Sequence, residues 1–175
     1  SWLRPAPDSR ENTTAVERLR REHRRGDGPL LALVGRVVAE KGIFDLLADP
    51  SKQQEFDGSG TVREAVDGSR GLALGDVFGM SMKMGIGYRM ANEVVEFEEN
   101  RRIAWQPRPT VSFLRPMIGG RIWRYELEPQ GEGTLVRESW DIRQEKFAFL
   151  VRPMRSRTVD AMTKTLERLA AVTES

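Results

Sequence analysis

Residues 119–142 read GGRIWRYELEPQGEGTLVRESWDI, and this stretch decides the fold. Apolar and polar residues alternate over two runs, 119–129 and 133–142, and a short glycine-rich turn separates them. This is the pattern of a β-hairpin whose strands each turn one face to a core and the other to solvent. The stretch therefore predicts an antiparallel sheet with one apolar face.

Charge selects the register of this hairpin. Two registers keep the apolar faces together, and one of them places Arg124 opposite Arg137, a like-charge pair that destabilises a sheet. The other has a four-residue turn at Gln130–Gly133 and pairs Glu126 with Arg137. We therefore predict the second register.

The predicted register puts one carboxylate on the apolar face. Trp123 lies beside Trp140, and Tyr125 lies opposite Glu138. A buried carboxylate is costly unless it is paired or hydrated. Glu138 is therefore either a polar anchor or acid/base group in a ligand cavity, with Tyr125 as its hydrogen-bond partner, or half of a structural pair near the rim of the sheet.

The rest of the chain supplies more strands and a cover for the sheet. Two short helices follow the first strand, and an apolar stripe of helical spacing predicts a helix of about 17 residues that starts near Arg155. Because this helix is the longest predicted, it should cover the apolar face. The class is thus α+β, with a curved antiparallel sheet of six to seven strands. Besides those of the hairpin, the predicted strands are residues 30–38, 61–67, 75–85, 88–99 and 101–107.

Two further details of the sheet are predicted. A three-residue turn at 99–101 pairs Phe97 with Ile103 and Val95 with Trp105, which keeps both pairs on the apolar face. Three prolines interrupt residues 107–118, which are predicted to be a loop with at most a weak edge strand at 111–114.

Met and Trp side chains are prominent on the predicted inner faces. Met fills irregular apolar space and Trp forms flat walls, so these residues either line a groove between sheet and helix or fill a packed core. A single helix does not readily fill the concave side of such a sheet, which favours the groove. The candidate ligand-binding residues are Phe78, Met80, Met82, Met84, Val95, Phe97, Trp105, Trp123, Tyr125, Glu138, Trp140, Met162 and Leu166.

The composition excludes several kinds of chemistry. The chain has no cysteine and a single histidine, His23, which rules out thiol nucleophiles, Cys-ligated metals and His-based catalysis beyond the N-terminal arm. There is also no acidic cluster with calcium-loop spacing, no dinucleotide fingerprint and no phosphate-binding loop, so no metal and no cofactor are expected. Chemistry in this chain would depend on carboxylates, Tyr, Lys or Arg.

Charge divides the chain into an arm, residues 1–28, and one domain, residues 29–175. The chain has 28 basic and 26 acidic residues, and the excess of two lies on the arm. The Arg-rich run could contact nucleic acid, but Glu17 and Glu22 dilute its charge, so a solvated helical arm is favoured. There is no secretory signal and no apolar run of about 20 residues, so a cytoplasmic protein without a membrane span is expected. A homodimer is left open.

Residues 30–172 resemble the START/Bet v 1-like (SRPBCC) superfamily, and within it the bacterial polyketide cyclase/dehydrase and lipid-transport type. The residues that carry the resemblance are LLADP at 46–50, the Gly133–Thr134 turn and ESW at 138–140. The resemblance implies a helix-grip fold, in which the sheet wraps the C-terminal helix around an apolar cavity. Members bind lipids, polyketides, sterols or other hydrophobic molecules, and some catalyse cyclisation or dehydration.

Three functions follow, in order of preference. The first is binding of a small hydrophobic molecule, such as a lipid or polyketide, with Tyr125 and Glu138 as polar anchors. The second is a cyclase or dehydratase in which Glu138 acts as general base and Tyr125 donates a hydrogen bond to a developing enolate. The third is an interaction module that acts through the Arg-rich arm.

Overall fold

A computed structural model describes residues 30–37, 42–65, 70–84, 86–110, 119–131 and 133–174. The Arg-rich arm and the predicted weak strand at 111–114 lie outside the described residues. The strands are β1 (Leu30–Val37), β2 (Val62–Ala65), β3 (Val77–Met84), β4 (Ile86–Glu98), β5 (Arg102–Pro109), β6 (Ile122–Gln130) and β7 (Gly133–Asp141). The helices are α1 (Ile43–Ala48), α2 (Gln53–Phe56), α3 (Ala148–Val151) and α4 (Arg155–Glu174), and short 3₁₀ segments at Pro50–Lys52 and Arg152–Met154 precede α2 and α4.

The seven strands form one antiparallel sheet in the order β1-β7-β6-β5-β4-β3-β2. Strands β2 to β7 form a meander, and β1 closes the far edge by pairing with β7. The predicted antiparallel meander and the two short helices after the first strand are confirmed. Among the described helices, none is both long and apolar enough to cross a membrane.

The register predicted for the β6–β7 hairpin is confirmed. Glu126 pairs with Arg137, and Gln130 pairs with Gly133 at the turn. The Arg137 guanidinium donates a hydrogen bond of 3.1 Å to Glu126 Oε2. The avoidance of like charges across the strands was therefore sufficient to predict this register.

The register predicted for the β4–β5 hairpin is wrong at one position. Phe97 pairs with Ile103 as expected, but Trp105 pairs with Val94 and not with Val95, because a β-bulge lies between Val94 and Glu96. An extra residue in one strand shifts the alternation of faces by one. Val94 is consequently buried in the core, whereas Val95 is half-buried.

Strand β5 extends beyond residue 107, where the sequence predicts the start of a loop. Pro107 pairs with Asn92 and Pro109 with Met90, so β5 continues to Pro109. Proline lacks the N–H that a strand needs to pair on both sides, and the pairing of β5 with β6 spans only residues 102–105. The two prolines therefore lie where β5 is paired on one side, and the sheet divides between β5 and β6 at this point.

Helix α4 covers the concave face of the sheet. It has 20 residues, three more than predicted, and it follows α3 and a 3₁₀ turn that the sequence did not predict. Its buried residues include Met162, Leu166 and Leu169, which belong to the apolar core. The sheet and this helix together form the helix-grip fold.

Candidate ligand-binding cavity

A cavity of about 330 Å³ lies between the concave face of the sheet and α4. Strands β2 to β7 contribute to its walls, together with α2 and the first half of α4. Most of the side chains at its centre are apolar, and two aromatic pairs stiffen the sheet side. The Trp105 and Tyr125 rings are 5.3 Å apart, and the Trp123 and Trp140 rings are 6.1 Å apart. Eight of the predicted ligand-binding residues line this cavity: Met80, Met82, Trp105, Trp123, Tyr125, Glu138, Trp140 and Met162.

Of the other five candidates, four lie elsewhere and one is not described. Phe78 and Leu166 are buried in the adjacent packed core. Phe97 packs on Phe44, with a centroid distance of 5.4 Å. Val95 lies at the bulge, and the side chain of Met84 is outside the described part of the structure. The concave side therefore contains both of the arrangements considered from the sequence, a packed core and a cavity beside it.

Glu138 and Tyr125 meet at the inner wall. They are direct cross-strand partners on β7 and β6, and the Tyr125 hydroxyl donates a hydrogen bond of 2.9 Å to Glu138 Oε1. The Glu138 side chain is 2% exposed and that of Tyr125 is 4% exposed. The register placed both groups on this face, and the structure joins them in one buried hydrogen bond.

Burial controls the ionisation of both groups. Loss of hydration raises the pKa of Glu138 to about 8, the Tyr125 hydrogen bond opposes this shift, and the negative charge of Asp57 adds to it. Burial, together with the Glu138 carboxylate, also raises the pKa of Tyr125 well above its ordinary value. At pH 7 Glu138 is therefore mainly a neutral carboxylic acid, and Tyr125 remains protonated.

Three side chains that line the cavity carry buried polar atoms without a partner. Among the described residues, Glu138 Oε2, Trp140 Nε1 and Gln53 Nε2 form no hydrogen bond. Glu138 and Trp140 are two residues apart on the same face of β7, and Gln53 comes from α2. An unsatisfied buried polar atom costs about 1–3 kcal/mol, so each of these groups is available to a ligand in the cavity.

Sequence reasoning missed the part of the cavity that α2 and the α2–β2 connection contribute. Gln53, Asp57 and Thr61 line the cavity, but a four-residue helix and a loop show no periodicity that would have indicated an inward face. Arg121 was detectable, because it lies in the predicted strand 119–129, two residues before Trp123, and alternation gives the two residues the same face. Arg157, on the first turn of α4, was also missed.

Three polar residues that line the cavity are at least partly exposed. Ser59 and Arg157 are exposed, and Arg121 is half-buried. Neither arginine forms an ion pair within the described part of the chain. The cavity thus combines a mainly apolar lining with a buried carboxylic acid and two arginines that are at least partly exposed.

An antiparallel sheet that grips one long helix beside a largely apolar cavity defines the helix-grip class of proteins. The chain belongs to the polyketide cyclase / dehydrase and lipid transport family, which matches residues 38–174. The resemblance identified from the sequence is thereby confirmed.

The chain is also similar to individual proteins of Mycobacterium tuberculosis. The uncharacterized protein Rv0088 of Mycobacterium tuberculosis is 33% identical over 118 residues, which cover 66% of this chain and 48% of Rv0088. The chain thus spans about half the length of the curated relatives that it matches.

Two solved structures share the fold at low sequence identity. The ginseng major latex-like protein 151 from Panax ginseng is 15% identical with a TM-score of 0.60, over 85% of this chain and 99% of that one. A protein from Arthrobacter aurescens is 15% identical with a TM-score of 0.65, over 83% and 86% of the two chains. At this identity the likeness concerns the fold alone.

Proposed function

We propose that this protein binds a small, mainly apolar molecule, such as a lipid or polyketide, in the cavity between the sheet and α4. The observation that carries the proposal is the cavity itself, which combines an apolar interior with a single buried carboxylic acid. Its volume of 330 Å³ lies at the lower end of the range for small-molecule sites, about 300–1,000 Å³.

The chemistry of the walls supports this proposal. Five methionines line the cavity, and their flexible thioether side chains adapt to apolar partners of varied shape. The Trp side chains offer flat surfaces against which rings or chains can pack. The walls therefore suit a ligand that is held by contact area, with few directional bonds.

A pair of substitutions on one helix tests the proposal. Ala161 lines the cavity and Ala171 is exposed, and both lie on α4. Ala161→Phe should fill the cavity, whereas Ala171→Phe leaves it open. Native mass spectrometry of protein purified from its own host should detect a retained apolar molecule with the wild type and Ala171→Phe, but not with Ala161→Phe. Equal retention by the two variants would contradict a ligand in this cavity.

The Glu138–Tyr125 pair favours a second candidate function, a cyclase or dehydratase. With a pKa of about 8, Glu138 would act as a general acid near pH 7 and become a general base as the pH rises above 8. Glu138→Gln keeps the shape of the side chain and removes both roles. An enzyme should then lose turnover while its affinity for substrate changes little, whereas a binding protein should simply retain its ligand.

A further inference from the structure

The polar groups that remain unpaired in the cavity are donors of hydrogen bonds. Trp140 Nε1 and Gln53 Nε2 carry hydrogens and have no acceptor among the described residues. Trp140 is 3% exposed and Gln53 is 6% exposed, so bulk water does not satisfy them. Both side chains line the cavity, so a molecule bound there could supply the missing acceptor.

Glu138 adds a third group that can donate a hydrogen bond. Its Oε1 accepts the Tyr125 hydrogen, and its Oε2 is buried without a partner. In the neutral acid Oε2 can carry the carboxyl proton, and it lies about 7 Å along β7 from the position of Trp140. The Trp140 indole, the Gln53 amide and the Glu138 carboxyl group can therefore each donate a hydrogen bond, and none of them has an acceptor among the described residues.

We infer that the cavity selects a ligand whose buried part carries neutral carbonyl oxygens, which accept hydrogen bonds from Trp140 and Gln53 and from the carboxyl group of Glu138. This inference rests on the proposed function and specifies its ligand class. A carbonyl oxygen has two lone pairs and no hydrogen, so it pairs with donors and leaves no donor of its own unsatisfied. A hydroxyl group would bring a further proton that needs an acceptor, and a carboxylate would bring a negative charge into the buried site.

The charged and titratable groups around Glu138 are consistent with a neutral acid. Tyr125 faces it from β6, and the Asp57 carboxylate acts on it from the α2–β2 connection. On β1 its Cα partner is Leu33, an apolar residue. Arg121 and Arg157 also line the cavity, but neither forms an ion pair with Glu138. Burial and Asp57 thus outweigh the Tyr125 hydrogen bond and keep the acid neutral up to a pH of about 8.

Two isosteric probes test the inference. 2-Acetylnaphthalene carries a ketone, and 2-isopropenylnaphthalene replaces the ketone oxygen with a CH₂ group. We define the affinity ratio as the association constant of the ketone divided by that of the alkene. This ratio measures how strongly the protein recognises the ketone oxygen. Trp140→Phe and Gln53→Met each remove one donor with little change in shape, and at least one of them should lower this ratio about three- to tenfold. Trp123→Phe is the matched control, because Trp123 lines the cavity but has no unpartnered buried nitrogen.

The contribution of Glu138 is tested by pH. The wild-type affinity ratio should be constant at neutral pH and fall above pH 8, where the ionised acid repels the carbonyl oxygen. Glu138→Gln, which presents an amide N–H at every pH, should keep the ratio constant over the same range. The wild-type protein alone offers a further test. When labelled 2-acetylnaphthalene binds, the ¹³C resonance of its carbonyl should move downfield relative to the ketone in cyclohexane.

The outcomes separate this inference from the proposed function. If neither probe binds, the proposed function fails. If the alkene binds, but the ratio is unchanged in Trp140→Phe and Gln53→Met or falls equally in Trp123→Phe, only the inference about the carbonyl is overturned. Alkene affinity in each variant shows whether the cavity is still intact.

Discussion

Tyr125 and Glu138 face each other across the β6–β7 pair, and the phenolic hydroxyl lies 2.9 Å from Glu138 Oε1. The tyrosine satisfies one carboxyl oxygen and leaves the other unpartnered. This half-satisfied acid in an apolar wall is the feature that distinguishes the cavity from an ordinary core. On the proposal made above, it links the stability of the protein and its response to pH with its choice of ligand.

The first prediction concerns the pH dependence of stability. The pKa of Glu138 is about 8 in the folded protein and has its ordinary value of 4.5 in the unfolded chain. Between these values the folded state binds more protons, so the free energy of unfolding falls as the pH rises. The contribution is fully present below pH 4.5 and is lost as the pH rises through 8, with a total of at most roughly 5 kcal/mol. Urea unfolding from pH 5 to 9 measures it.

Glu138→Gln is the control for this effect, because the amide keeps an acceptor for Tyr125 and does not titrate. The variant should match the wild type at pH 5 and be the more stable protein at pH 8.5. Parallel stability curves for the two proteins would show that Glu138 does not carry the shift.

The second prediction concerns the hydrogen bond itself. Tyr125→Phe keeps the ring but leaves Glu138 Oε1 without its partner, which should destabilise the fold by about 1–3 kcal/mol. Because this hydrogen bond lowers the pKa of Glu138, its loss should move that pKa further upward. An NMR titration of the ¹³C-labelled carboxyl group reports the pKa, and an unchanged or lower value would contradict the role assigned to Tyr125.

The third prediction concerns the contact that holds the α2–β2 connection against α4. Gly58 is buried there, and its N–H donates a hydrogen bond of 3.0 Å to Thr165 Oγ1. A Cβ at this position would lie 2.1 Å from the carbonyl oxygen of Ala161, which is part of the α4 backbone. Gly58→Ala should therefore cost about 1–3 kcal/mol of stability.

Gly71→Ala is the matched control, since a Cβ at Gly71 meets nothing within 4 Å. Thermal unfolding should leave this variant within about 0.5 kcal/mol of the wild type. If Gly58→Ala and Gly71→Ala lost similar amounts of stability, the close approach of Gly58 to α4 would not be the cause of the loss.

The hairpin and its buried acid were predictable because they depend on local pattern. Alternation defined the inner face, and the charges of Glu126 and Arg137 chose between two registers, so the Tyr125–Glu138 pairing followed directly. The bulge in β4 was not predictable by the same reasoning. Both Val94 and Val95 suit an inner face, and alternation alone does not reveal where an extra residue enters a strand.

The cavity residues in α2 and in the α2–β2 connection could not be predicted from the local sequence pattern, for a different reason. Gln53 lies on a four-residue helix, and only the packing of that helix against α4 and β2 brings its side chain to the cavity. The burial of its amide nitrogen is a tertiary property. Its role in the cavity, like that of Asp57, could be found only once the fold was known.

Methionine methyl NMR tests the central claim most directly. Met80, Met82, Met90, Met154 and Met162 line the cavity and come from β3, β4, the 3₁₀ turn and α4. With ¹³C-methyl methionine, 2-isopropenylnaphthalene should shift all five resonances through its ring current in the wild type, and none of them in Ala161→Phe. If the probe leaves these five resonances unmoved, or moves them equally in Ala161→Phe, an apolar ligand does not occupy this cavity.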